Sequence, residues 1–130
     1  MDAFDADVLI YAAVADPRGR EIMKLLDRDP PGVGSVLLLP ELLAHPLRHG
    51  RAAETRALEW ILGRMDLRQV DLPTARVAAV LGSKYGLRAA DAVHLATAVV
   101  SNADRFITNN SRDFPMSITD IEVTYPSTIA

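Results

Sequence analysis

The chain reads as a single-domain α/β protein: a mostly parallel five-stranded sheet flanked by helices. Three observations predict this. Short apolar runs of strand length alternate with helix-length segments along the whole chain, the pattern of a parallel sheet covered on both faces. The 130 residues, 49% apolar and 24% charged, suit one domain with one sizeable core. There is no internal repeat and no low-complexity tract to divide it.

In order, Met1–Phe4 is the first strand and Asp7–Ala15 the helix after it. Asp16–Pro17 predicts a helix start, with Asp as N-cap and Pro at the first helical position. That helix runs to about Asp27, with Ile22, Leu25 and Leu26 at helical spacing, and Pro30–Pro31–Gly32 stops it. Val33–Leu39 is a second buried strand, and Pro40 opens a helix with Glu41 in its first turn. Arg51–Met65 is an amphipathic helix whose apolar side carries Leu58, Ile61 and Leu62; Leu67–Val70 is the third strand. Pro73 starts a helix through Lys84, and Gly86 suits a left-handed cap. Ala89–Asn102 is the last long helix, followed by strand Arg105–Thr108, a polar loop over Asn109–Met116 and strand Ile121–Tyr125. The domain spans 1–126, leaving 127–130 as a short frayed tail.

The totals exclude several classes. No apolar run approaches the roughly 18–20 residues that span a bilayer. Asp2 and Asp5 stand where a signal peptide would be positive, so the expected compartment is the cytoplasm. With no cysteine, disulfides and thiolate metal sites are excluded. A net charge of −3 is not that of a basic nucleic-acid coat protein, though it leaves nucleic acid open as a substrate. Only Lys24 and Lys84 of the 14 basic residues are lysines, and an arginine-rich genome explains that as well as phosphate binding does.

The acids carry the functional signal. Asp5 ends the first strand and Glu41 opens the helix after the second, so both sit at the carboxyl edge of a parallel sheet, where ligands bind in α/β proteins. Asp91 lies in the first turn of a helix that runs back from that edge, and Asn110 and Asp113 follow the fourth strand to it. An acid in a first turn complements the helix dipole, which alone would explain Glu41. For Asp91 the stripe Asp91, Leu95, Ala98, Asn102 puts the carboxylate on an otherwise inward face. Carboxylates within about 4 Å repel by roughly 4 kcal/mol per pair at an effective dielectric near 20. A divalent cation removes that cost, and all-oxygen ligands suit Mg²⁺ or Mn²⁺, whose chemistry with carboxylates is phosphodiester hydrolysis. Glu41, His45 and His49 recur at helical spacing, but Pro46 interrupts their helix and the two histidines read as surface residues. His94 reads as facing away from the Asp91 stripe, packed or hydrogen-bonded.

Four stretches then resemble one family: FDADVLIYA (Phe4–Ala12), PELLAHPLRHG (Pro40–Gly50), LRAADAVHLATA (Leu87–Ala98) and ADRFITNNSRDF (Ala103–Phe114). Together they resemble the PIN domain, specifically the small VapC-type toxins, with Asp–Ala–x–His–Leu–Ala–x–Ala the most specific stretch. The resemblance implies a flavodoxin-like sheet, Mg²⁺ or Mn²⁺ at its carboxyl edge and cleavage of single-stranded RNA. By position Asp5, Glu41 and Asp91 match three acids of the family's metal site, and Thr108 and Asn110 match its Thr–x–Asp element with Asn in place of Asp. Asp113 is then the nearest carboxylate for the fourth place. Asp–Ala–Asp replaces the usual Asp–Thr–Asn, so Asp7 either restores missing negative charge or caps its helix. Arg48 and Arg112 are the expected grips on flanking phosphates. A small antitoxin partner and a homodimer are further expectations from the resemblance.

Two other readings remain at this point. Strand–Asp–x–Asp also opens haloacid-dehalogenase-type phosphatases, but these need a later lysine, and Lys24 and Lys84 both fall within helices. The other is a PIN-like module that binds RNA or protein without cutting it, motivated by Asn110.

Overall fold

The computed structural model describes residues 1–129. Five short strands form one parallel sheet: β1 (Asp2–Phe4), β2 (Val33–Ser35), β3 (Asp66–Arg68), β4 (Arg105–Ile107) and β5 (Glu122–Thr124). Their spatial order is β3-β2-β1-β4-β5, and every pairing is parallel. From β1 the chain winds outward to one side through β2 and β3, then returns to build β4 and β5 on the other. The crevice where the winding reverses therefore lies beside β1 and β4, at their carboxyl ends.

Side-chain alternation along the strands feeds two cores. Phe4 and Ile107 join a layer built from α1 (Ala6–Ala13), α2 (Gly19–Leu26), α3 (Leu38–Arg48) and α4 (Ala52–Gly63). Ala3, Val33, Phe106 and Val123 face the opposite layer, made by α5 (Leu72–Tyr85), α6 (Ala89–Val100) and the buried Phe114 and Ile118 of the β4–β5 connection. The expected left-handed cap is present: Gly86 ends α5 at φ +66°, ψ +34°, and its N–H donates to the Gly82 carbonyl. Among the described residues no helix is long and apolar enough to cross a membrane.

Several boundaries differ from the sequence reading, each for a local reason. β2 stops at Ser35 instead of Leu39 because the Ser35 hydroxyl accepts from the Leu37 N–H at 3.1 Å and bends the chain out of the ladder. The apolar run beyond it is helical, burying Leu38, Leu42 and Leu43, so Pro40 is the third residue of α3 and not its first. Its missing N–H falls among those with no partner in a first turn. Asp16 does not cap a helix at Pro17. Its carboxylate accepts from the Arg18 N–H and grips the Arg18 guanidinium, shaping a turn after which α2 begins at Gly19. A side chain at Gly19 would collide with the Tyr11 carbonyl, so α2 packs on α1 there only with glycine. α3 continues through the buried Pro46 to Arg48. Asn102 is exposed, at φ +57° beyond the end of α6, and does not extend the inward stripe. Pro126–Thr128 forms a 3₁₀ turn and Ile129 packs against the first core layer, so this end docks through 129; Ala130 of the expected tail lies outside the described residues.

Candidate active site

Parallel register assembles the site. Phe4 pairs with Ile107, so the next residues, Asp5 and Thr108, leave the sheet side by side. Asp5 is buried (5% exposed) and caps α1 with one oxygen on the Ala6 N–H at 2.8 Å. Its other oxygen accepts from the Thr108 hydroxyl at 2.8 Å, and that hydroxyl accepts in turn from the Asn110 N–H at 3.0 Å. Thr108 thus holds Asp5 and the start of the β4–β5 connection in one arrangement.

With Asp5 as the cap, Asp7 does not serve in that role. It sits in the first turn of α1 and turns toward the loop after β4, where one oxygen accepts from the Asn109 N–H at 3.0 Å. Its other oxygen is buried and has no hydrogen-bond partner. The Asn109 amide donates to the Tyr11 hydroxyl at 3.0 Å, tying the loop to α1 a second time. Glu41 in the first turn of α3 and Asp91 in the first turn of α6 complete the cluster. Asp5, Asp7, Glu41, Asp91 and Asn110 line one pocket, with Ile10 and Leu42 supplying apolar wall.

Asp113 does not line that pocket. Its carboxylate accepts from the Asn110 side-chain NH₂ at 2.9 Å while its N–H donates to Asn110 Oδ1 at 3.2 Å, so the pair closes a turn and spends both polar ends of the Asn110 side chain. Arg48 and Arg112 are exposed and lie outside the pocket lining. His45 and His49 lie side by side on the exposed side of α3, with ring centroids 4.4 Å apart and planes tilted by 50°. Lys24 and Lys84 pair with Glu21 and Asp120, so neither supplies the lysine a phosphatase of the rival kind needs.

The acids are electrostatically strained. Burial raises the Asp5 carboxyl above its ordinary range, only partly offset by its hydrogen bonds from Thr108 and Ala6. Asp7 is pushed up to about 6, first by burial and then by the charge of Asp5. Asp91 is raised by burial, then by the charges of Asp5 and Asp113. Among the described residues no lysine or arginine forms an ion pair with Asp5, Asp7, Glu41 or Asp91.

One basic side chain does reach the cluster, and the sequence reading has its hydrogen bond right but its direction wrong. His94 was expected to face away from Asp91, yet its Nε2 lies 2.5 Å from the Glu41 carboxylate, and the ring is buried. Three residues along a helix is only about 60° around it, so His94 stands beside Asp91 and not opposite. That spacing was the available signal.

The donor set fits a hard divalent cation: oxygens only, several carboxylates with raised proton affinity, and one buried carboxylate oxygen left without a partner. The side chains are not drawn into a finished cage, since among the described residues no three acids or histidines form a ready metal-holding group. Binding would gather them.

A model of the PIN domain family matches residues 3–115. The chain belongs to the PIN domain family. No curated protein sequence matches it significantly. Solved structures share the PIN fold over nearly the whole chain. One is a toxin–antitoxin complex from Klebsiella pneumoniae, with TM-score 0.81 and 21% identity, covering 97% of this chain and 98% of that one. Another is VapBC2 from Rickettsia felis bound to a promoter DNA fragment, with TM-score 0.78 and 17% identity, covering 95% and 97%. A third is DNA-bound VapBC from Salmonella typhimurium, with TM-score 0.73 and 19% identity, covering 96% and 97%. At such identities the likeness speaks for the PIN fold.

Proposed function

We propose that this PIN-domain protein is a divalent-cation-dependent endoribonuclease acting on single-stranded RNA, and the toxin of a VapBC-type toxin–antitoxin pair. The observation that carries the reading is the cluster of desolvated carboxylates, without a lysine or arginine partner among the described residues, at the switch point of the sheet. Such charges oppose folding unless a ligand compensates them. That the fold neighbours are toxin–antitoxin and VapBC complexes supports the toxin role and a small antitoxin as partner. A homodimer in the cytoplasm is the matching expectation.

Asp5, Glu41 and Asp91 would hold Mg²⁺ or Mn²⁺. Asp7 is the better fourth acid, because it lines the pocket and keeps one oxygen without a hydrogen-bond partner among the described residues, while Asp113 lies outside the lining and is spent on Asn110. The cation supplies positive charge to a phosphoryl oxygen and makes a nearby water more acidic. The protein's own part is positional. Thr108 fixes one oxygen of Asp5, and the Asn109–Asp7 and Asn109–Tyr11 bonds hold the loop that carries Asn110. Arg48, about 10 Å along α3 from Glu41 at 1.5 Å per residue, and Arg112 on the β4–β5 connection are exposed guanidiniums suited to flanking phosphates.

The test is cleavage of a labelled single-stranded RNA pool by antitoxin-free protein with Mg²⁺, Mn²⁺ or EDTA, beside Asp5→Asn. Cutting that needs the metal and falls at least about 100-fold in Asp5→Asn is the expected result. A folded protein that cuts under no metal would instead be a non-catalytic RNA- or protein-binding module. Cutting that survives Asp5→Asn would place the chemistry elsewhere.

A further inference from the structure

We propose that His94 is a positioning residue of the acidic site: it holds Glu41 by one carboxylate oxygen and thereby presents the other to the pocket. The inference rests on the reading above, that this pocket binds a divalent cation.

Glu41 and His94 are 53 residues apart in sequence and reach each other from the first turn of α3 and the second turn of α6. An ionised carboxylate can only accept, so the bond at 2.5 Å makes Nε2 the donor and fixes which ring nitrogen carries hydrogen. The other nitrogen, Nδ1, is buried with no partner. The ring is 1% exposed, whereas the Glu41 side chain is 37% exposed, so one end of the bond is locked by packing and the other is not. A position that needed only volume would be better filled by leucine, which buries no unsatisfied nitrogen. What histidine adds there is the single directed bond to Glu41.

That bond acts on a carboxylate of the pocket that has freedom to lose. Asp5 is already fixed by Ala6 and Thr108, and Asp7 by Asn109. Glu41 has no other hydrogen bond from a side chain or backbone donor to its carboxylate among the described residues. A ligand carboxylate oriented from behind in this way binds metal more tightly, and loss of such a partner typically weakens binding by about 10–100-fold.

Mn²⁺ binding, read by titration calorimetry on the full chain, tests this with no reliance on turnover. His94→Leu should remain folded by circular dichroism and bind Mn²⁺ at least about tenfold more weakly. His94→Gln, which keeps a donor near the Nε2 position, should recover most of that loss. In a Glu41→Ala background His94→Leu should cost nothing further, because the two residues act as one unit. Unchanged affinity in folded His94→Leu, or an equal loss in the Glu41→Ala background, overturns the role of His94. A wild-type protein that binds no Mn²⁺ overturns the cation reading itself, which is a different result. Should His94→Leu fail to fold, nitrogen-15 spectra of the metal-free wild-type imidazole decide: the expected ring carries its proton on Nε2, in a signal that moves upfield in Glu41→Ala. A ring protonated on Nδ1 alone, or one indifferent to Glu41→Ala, overturns the proposal.

Discussion

The two ends of β1 carry the same side chain in opposite circumstances. At the amino end, Asp2 pairs with Arg105 across the β1–β4 register at 2.9 Å, and Asp104 takes the N-terminal ammonium. The hydrogen bond from that ammonium holds the Asp104 carboxyl below its usual range. At the carboxyl end, three residues on, Asp5 is desolvated beside Asp7 and Asp91, and all three are raised. The same parallel register that lets Arg105 meet Asp2 delivers a neutral Thr108 to Asp5. Acid count therefore distinguishes nothing here. The withheld counter-charge does: acids at one edge hold the fold together, and those at the other work against it until something positive arrives.

The pH dependence of the metal-free protein sharpens the contrast most. Asp7 has a folded value of about 6 against an ordinary 3.8, so the folded state binds the proton more tightly than the unfolded chain does. Its contribution to stability is therefore complete below the ordinary value and disappears as pH rises through about 6. The shift corresponds to about 3 kcal/mol at most, and Asp5 and Asp91 act in the same direction. Thermal melts in EDTA should give a higher Tm at pH 5 than at pH 7.5. Asp7→Asn should raise the Tm at pH 7.5 and flatten the slope, and Mn²⁺ should raise it for the wild type. Asp104, with its lowered value, runs the other way, losing its contribution as pH falls through the acid range. A metal-free Tm that climbs from pH 5 to 7.5 would erase the difference between the two edges.

Much of this was legible beforehand because a parallel sheet converts chain order into edge position. Any residue just after a strand, or in the first turn of a helix that leads into one, reaches the carboxyl edge, and so Asp5, Glu41 and Asp91 could be gathered from the sequence alone. What could not be read depended on where one polar group spends its hydrogen bonds. Ser35 ends β2 early through its hydroxyl, and Asn110 takes Asp113 out of the pocket by closing a turn with it. The sequence leaves Asp7 two roles because either acid can cap α1; Asp5 takes the cap, and both acids line the pocket. The sequence reading of His94 as packed or hydrogen-bonded agrees with the structure, and only its direction relative to Asp91 differs, by an error of helical phase.

Thr108→Val gives the next largest effect. The replacement keeps shape but removes the donor to Asp5 and the acceptor for the Asn110 N–H in one step. Leaving those buried groups unmet costs about 1–3 kcal/mol, and freeing Asp5 should slow RNA cleavage about 10–100-fold. Urea unfolding and the labelled-RNA assay read the two effects separately. Equal cleavage by Thr108→Val would mean that Asp5 needs no orientation, and the carboxyl edge would then differ from the amino edge only in charge.

The smallest effect is expected at the amino edge, and it is informative because it is small. Asp2→Asn breaks a half-buried pair whose side chains are 25% and 15% exposed, so it should cost about 1 kcal/mol in urea unfolding. It should leave RNA cleavage and Mn²⁺ affinity unchanged, since Asp2 stands at the opposite end of β1 from Asp5. The same Asp→Asn exchange at Asp7 is expected to stabilise the metal-free protein near neutral pH and to weaken Mn²⁺ binding. One substitution thus takes opposite signs on stability at two ends of the same side of the sheet. Were Asp2→Asn also to stabilise the protein, the Arg105 pair would be decorative, and the acids could no longer be sorted by whether the fold supplies them with a cation.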